Sequence, residues 1–280
     1  MRRLAPLLLL LLVAAGCTGA LETATSAVDD DGTLSLVVPV PAFSEQVLNE
    51  SGGVTVSEIV LHRDIDIPCL LAAPETPEAA IVYAPGAGVL PAAHLERAIR
   101  YAEAGIAFCV VDIRGNGGGA AGHPFDLNSE FAAFAGGNQP QTHRIAADLI
   151  ACREVLAERY PVPVWAMGSS NGGRYAELAA AADTDFAGYI GVSTSGFGRA
   201  GDDYGGDARR FLLSIDPSVS IASISPRPVL LFHATEDPVI PYADGQALFE
   251  AAAEPREFVP FNGTHGVNAE VDAGVMAVCV

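Results

Sequence analysis

Three residues with matching chemistry follow one another along the chain in a fixed order. Gly168-Ser169-Ser170-Asn171-Gly172 follows the apolar run 162–167 and leads into a helical pattern. A serine on a sharp turn between strand and helix projects its hydroxyl above the sheet edge. Flanking glycines let the two elements pass without collision, and the Asn171 amide, first in the helix, faces the oxyanion that forms on attack. A serine hydroxyl needs a base, and the base needs an orienter. Asp237 lies in Thr235-Glu236-Asp237-Pro238 and His265 in Gly263-Thr264-His265-Gly266, each just past a later apolar run. Taken singly, an Asp before Pro is an ordinary turn former and a His in a glycine loop is ordinarily solvated. Jointly they arrive in the order acid, then histidine, at the strand ends where open parallel sheets carry their sites. The set Ser170, Asp237 and His265 points to acyl transfer.

A second oxyanion donor belongs in the turn after the first parallel strand, Tyr83-Ala84-Pro85-Gly86-Ala87-Gly88. Pro85 has no amide to give, so the candidate is the amide of Ala87. Arg114, in Asp112-Ile113-Arg114-Gly115-Asn116-Gly117, reads as a structural brace between loops.

Elements to position these groups are legible from periodicity. Alternation predicts antiparallel strands near 54–61 and 65–71. Short apolar runs then alternate with helical patterns, which predicts a parallel sheet with crossover helices. The strands fall at 79–84, 106–112, 162–167, 187–193, 228–234 and 256–261, and the helices at 92–104, 142–159, 171–182, 242–253 and 267–277. The long connections 113–140 and 195–225 read as loop insertions over the site. Their Phe125, Phe131, Phe134, Phe197, Tyr204 and Phe211 are expected to wall a substrate pocket. His123 and His143 flank the first insertion and are expected at the surface or in packing. His233, inside a strand pattern, reads as structural, and His62 and His94 have no motif context.

Composition narrows the chemistry further. All 15 basic residues are arginine, against 34 acidic ones, for a net charge of -19. Phosphate binding wants clustered cations, so a nucleic-acid partner is not expected. Without lysine, neither Schiff-base nor Ser-Lys chemistry can be built, which leaves His265 as the base.

From about residue 54 to 280 the sequence resembles the alpha/beta-hydrolase superfamily, on PGAG at 85–88, DIRGNG at 112–117, GSSNG at 168–172, HATEDPVIP at 233–241 and GTHG at 263–266. The pattern is most similar to the dienelactone-hydrolase and prolyl-oligopeptidase branches. That resemblance implies a three-layer α/β fold, a mostly parallel sheet with antiparallel N-terminal strands and helices on both faces. It also implies Ser170 as nucleophile, His265 as base, Asp237 as orienter, and Ala87 and Asn171 as oxyanion donors. Three departures stand out. Pro85-Gly86 replaces a common His-Gly, the nucleophile is Ser where dienelactone hydrolases often have Cys, and there is no N-terminal propeller.

The chain opens with Arg2 and Arg3 before the short apolar run 7–15, the layout of a signal peptide over 1–16. Ala14-Ala15-Gly16-Cys17 resembles a lipoprotein cleavage site, which makes Cys17 a candidate lipid attachment and the protein an extracytoplasmic, membrane-anchored lipoprotein. The alternative is an ordinary cut near Ala15 and a secreted protein. Residues 17–53 read as the lipidated Cys and a tether with room for a first strand, and 54–280 as the hydrolase domain. Cys69, Cys109, Cys152 and Cys279 have no CxxC spacing, so neither a metal site nor a disulfide is assigned. No metal or organic cofactor is implied. The leading expectation is a serine esterase acting on a small-molecule ester. A peptidase or amidase on the same triad, and a non-catalytic surface-anchored binding protein, are the alternatives.

Overall fold

The apolar runs Ala79–Ala84, Ile106–Val111 and Val164–Ser169 are buried at every position, the mark of strands covered on both faces. A computed structural model describes residues 24–280, so the expected signal segment 1–16 and Cys17 lie outside the described residues. Eleven strands are described: β1 (Thr25–Val28), β2 (Leu34–Val37), β3 (Ala42–Ser51), β4 (Val54–His62), β5 (Asp66–Pro74), β6 (Ala79–Ala84), β7 (Ile106–Val111), β8 (Val164–Ser169), β9 (Tyr189–Val192), β10 (Val229–Ala234) and β11 (Arg256–Phe261). The main helices are α1 (Leu95–Glu103), α2 (Leu127–Ala135), α3 (Gln141–Arg159), α4 (Asn171–Ala182), α5 (Gly206–Ser214), α6 (Pro217–Ser220), α7 (Tyr242–Ala251) and α8 (Ala269–Cys279).

Nine strands form one sheet in the order β11-β10-β9-β8-β6-β7-β5-β4-β3. β6 through β11 pair in parallel, while β3, β4 and β5 join antiparallel, β5 along β7. Side chains alternate along β6: Ala80 and Val82 pack in a core with α3, α4 and α7, whereas Ile81 and Tyr83 pack in a second core with α1 and α8. This is the expected three-layer arrangement. Each parallel strand delivers its following loop to the same edge, so the loops after β6, β8, β10 and β11 meet there.

The larger differences from the sequence reading lie in the N-terminal strands and in the two insertions. The sheet starts at residue 42, within the segment 17–53 where the sequence left room for a first strand and ahead of the hydrolase domain read from 54. β3 is exposed along its whole length as the sheet's outer strand, so no buried face imprints an alternation on its sequence. Within the stretch read as a tether, β1 and β2 form an antiparallel hairpin. Arg210 and Arg209 of α5 donate to the carbonyls of Val28 and Asp30, which fixes that hairpin to the body. The two insertions also carry helices, α2 in the first and α5 and α6 in the second. Among the described residues, no helix is long and apolar enough to cross a membrane.

Candidate active site

β8 ends at Ser169 and α4 starts at Asn171, leaving a single residue for the turn. Ser170 therefore takes φ 55° and ψ -126°, a conformation that costs a non-glycine residue about 1–3 kcal/mol. The neighbours hold it there. Ser170 N–H donates to Val192 O at 3.0 Å, and its carbonyl accepts from Gly173 N–H at 3.0 Å and Thr194 Oγ1 at 2.9 Å. The flanking glycines are required by contact. A Cβ on Gly168 would strike the Gly172 carbonyl, and one on Gly172 would strike the carbonyls of Ala84 and Pro85. The start of α4 thus sits directly against the turn that carries Ala87.

Asp237 and His265 follow the neighbouring strands β10 and β11, so they emerge side by side. The Asp237 carboxylate accepts from the Val239 and Ile240 amides at 2.9 Å each. It also accepts from His265 Nδ1 at 3.0 and 2.9 Å. Burial opposes ionisation of Asp237, but the amides and the histidine outweigh it and hold the carboxyl below its usual range. A carboxylate only accepts, so Nδ1 carries the proton and Nε2 keeps a free lone pair. The Asp237 side chain is fully buried, whereas the His265 side chain is 21% exposed. His233, buried beneath them, bonds through Nε2 to Ile240 O at 3.0 Å and braces the acid's loop, the structural part expected of it.

Ser170 and His265 line one cavity of about 410 Å³ together with Gly86, Ala87, His94 and Val239. Ser170 Oγ and His265 make no hydrogen bond in the free site; such contacts often tighten only when substrate is bound. Across Ala87 lies a second lobe of about 370 Å³, lined by Asn116, Phe125, Asn171 and Tyr175. It ends in a recess of about 10 Å³, closed where the Arg174 guanidinium lies 4.5 Å from the Phe197 ring centre. Of the six expected aromatic wall residues, Phe125 and Phe197 line these spaces. Phe131 and Phe134 instead pack on Phe211, each ring pair at 5.7 Å, and so hold α2 to α5. Tyr204 is 57% exposed on the surface.

Several groups around the site had no local signal. His94 is buried against the main cavity, and its Nδ1 accepts from Arg97 at 2.7 Å. Burial and Arg97 depress its pKa to about 4, which keeps it neutral. Arg114 is the loop brace expected: its Nε reaches Asp148 at 2.6 Å and its NH1 reaches Asp64 at 2.9 Å. The Asp148 and Asp64 partners come from distant segments. Cys69, Cys109 and Cys152, from β5, β7 and α3, crowd with their sulfurs within 4.8 Å of one another. All three are free thiols in the apolar core, where Cys packs as a small hydrophobe.

His143 is fully buried in packing. Ser214 Oγ donates to Phe211 O at 2.8 Å and so accepts from His143 Nε2 at 2.9 Å. Its Nδ1 is buried without a partner. Burial depresses the pKa to about 4 from 6.5. The unfolded chain therefore binds a proton below about pH 6.5 that the folded chain refuses until about pH 4. Stability is fully present above that window and falls as pH drops through it, by on the order of 3 kcal/mol from this residue. Urea unfolding on both sides of the window should show the loss, and His143→Leu should reduce it, leaving the share that His94 contributes over the same window. An unchanged slope in the variant removes His143 as the cause.

No protein-family model matches the chain. A stretch of 48 residues is 48% identical to the uncharacterized protein YfhR of Salmonella typhi and to that of Salmonella typhimurium, covering 16% of this chain and 16% of each relative. The match thus spans about a sixth of the length of those curated relatives. The chain superposes on acetyl xylan esterase 1 from Thermoanaerobacterium sp. with a TM-score of 0.71 at 14% identity, over 85% of this chain and 87% of that one. An acetyl xylan esterase from Paenibacillus sp. gives 0.69 at 17% identity, over 85% and 88%. A glucuronoyl esterase from Solibacter usitatus gives 0.63 at 14% identity, over 87% and 86%. At these identities the likeness establishes the fold.

Proposed function

On the premise of an alpha/beta-hydrolase fold, we propose that this chain is a serine hydrolase that cleaves a carboxylic ester through an acyl-enzyme. The observation that carries the reading is His265, bonded to the buried Asp237 carboxylate and lining the same cavity as Ser170, itself held in a strained turn. The esterases that share the fold support ester cleavage as the reaction.

His265 Nε2 takes the Ser170 proton as Oγ attacks the ester carbonyl. Asp237 fixes the tautomer and stabilises the imidazolium. The amides of Ala87 and Asn171 receive the negative charge of the tetrahedral intermediate. His265 then returns the proton to the leaving alcohol, so the alcohol must lie on the His265 side, in the lobe of about 410 Å³. The acyl group extends across Ala87 into the lobe of about 370 Å³, toward Phe125 and Tyr175. Water repeats the sequence on the acyl-enzyme, releasing the acid and restoring Ser170.

A fluorophosphonate probe tests the reading directly. It should label the wild-type chain at Ser170 and leave Ser170→Ala unlabelled. Absence of label on the folded wild type, or equal labelling of the variant, sinks the proposal.

A further inference from the structure

We infer that Asn116 is a positioning residue that aims the Ala87 amide as the second oxyanion donor. The inference rests on the acyl-enzyme reading above. Every polar group of the Asn116 side chain is spent on the turn after β6. Nδ2 donates to Gly86 O at 3.0 Å and to Val89 O at 3.1 Å, while Oδ1 accepts from Gly88 N–H at 3.1 Å. The turn closes on itself through Val89 N–H to Gly86 O at 3.2 Å, with Gly88 at φ 71°.

These bonds sort the amides of the turn. Pro85 has none, and that of Gly88 is occupied by Asn116. The amides of Gly86 and Ala87 both lack a hydrogen-bond partner among the described residues, and both residues line the cavity beside Ser170; of the two, only the Ala87 N–H shares a peptide plane with the Gly86 carbonyl that Asn116 holds. An oxyanion donor has to be aimed before the reaction begins, because reorienting it in the transition state would consume the stabilisation it gives. Asn116 supplies that aim from outside the turn. Its own position is fixed in turn: its N–H donates to Ile113 O at 3.0 Å. Between them, Arg114 is locked onto Asp148 and Asp64. A rigid chain of contacts thus runs from a buried ion network to the turn carrying Ala87.

The test separates aiming from folding. Asn116→Ala removes all three bonds, and the isosteric Asn116→Asp keeps the acceptor for Gly88 while turning a carboxylate oxygen toward the carbonyls of Gly86 and Val89. Kinetics on an aryl acetate should show kcat reduced about 10- to 100-fold in both variants with KM nearly unchanged, short of the 10²–10³ that follows outright loss of a donor. A trifluoromethyl ketone, which forms an oxyanion on Ser170, should lose affinity in the same proportion. The matching methyl carbinol, which forms none, should bind as before. Overturning results are a kcat within twofold of wild type in a folded variant, or equal weakening of ketone and carbinol. If neither variant folds, the inference also falls, since Asn116 would then serve the fold as a whole. A wild type that forms no ketone adduct at Ser170 is a separate outcome and overturns the acyl-enzyme reading together with this one.

Discussion

Asp237→Asn is expected to lower kcat about 10⁴-fold while leaving KM and the fold nearly intact. The carboxylate accepts from two backbone amides and from the single His265 Nδ1–H, which is shared between its two oxygens. An asparagine keeps its oxygen on the Val239 and Ile240 amides, so the loop survives. Its NH₂ group then faces His265, and two donors cannot share that contact. The ring answers by moving its proton to Nε2, the position that must accept from Ser170. The base is present and in the wrong tautomer. The imidazolium formed during acylation also loses its counter-charge in a buried setting, where such a charge counts for more than in water. Because its surroundings hold the Asp237 carboxyl below its usual range, it stays ionised throughout the working pH range. Steady-state kinetics of both proteins across pH, with a thermal melt of each, check this. A variant that keeps more than a tenth of the wild-type kcat would remove Asp237 from the mechanism.

The sequence exposes what local chemistry dictates. The elbow at Ser170 is legible because one segment holds strand, turn, flanking glycines and helix start. Asp237 and His265 are legible because each ends an apolar strand that announces itself. Asn116 sits inside a segment whose Arg114 is readable as a brace, yet its partners lie 27 to 30 residues away. No spacing rule links an asparagine after β7 to a turn after β6; only the parallel pairing of those strands brings them together. The three core thiols, from β5, β7 and α3, escape spacing rules for the same reason. β3 differs again. An edge strand exposed on both faces carries no alternation, so the sequence leaves room for a strand before residue 54 without fixing its bounds. The aromatic residues of the insertions show a further limit. Composition places Phe131, Phe134 and Phe211 near the site, but only packing decides that they face one another.

The ion network behind the site leads to the largest stability effect. Asp148 of α3 is 2% exposed in its side chain and receives Arg114 Nε at 2.6 Å. Arg63 Nε approaches it at 2.7 Å, with its N–H directed off the hydrogen-bond axis, so that contact is an ion pair above all. Both guanidiniums are themselves buried, at 7% and 3% side-chain exposure. Asp148→Ala would strand Arg63 in the interior, where it has no second carboxylate partner among the described residues, and leave Arg114 with Asp64 alone. Breaking a buried pair in this way costs about 3–5 kcal/mol, a fall in Tm of about 6–20 °C for a domain of this size. Much of that is the penalty of the orphaned charge and little of it the net worth of the network. Removing the charges together should therefore cost less than removing Asp148 alone. Arg63→Met combined with Asp148→Leu is expected to recover part of the lost Tm, with Arg114 still held by Asp64. The same loosening reaches catalysis, because Arg114 and Asn116 share one turn. The Asp148→Ala protein should lose kcat in the same sense as Asn116→Ala, even at temperatures where it is fully folded. A Tm within 2 °C of wild type would show that the charges find water on relaxation. A kcat that stays at the wild-type value in the destabilised protein would show that the network supports the fold and leaves the turn at Ala87 alone.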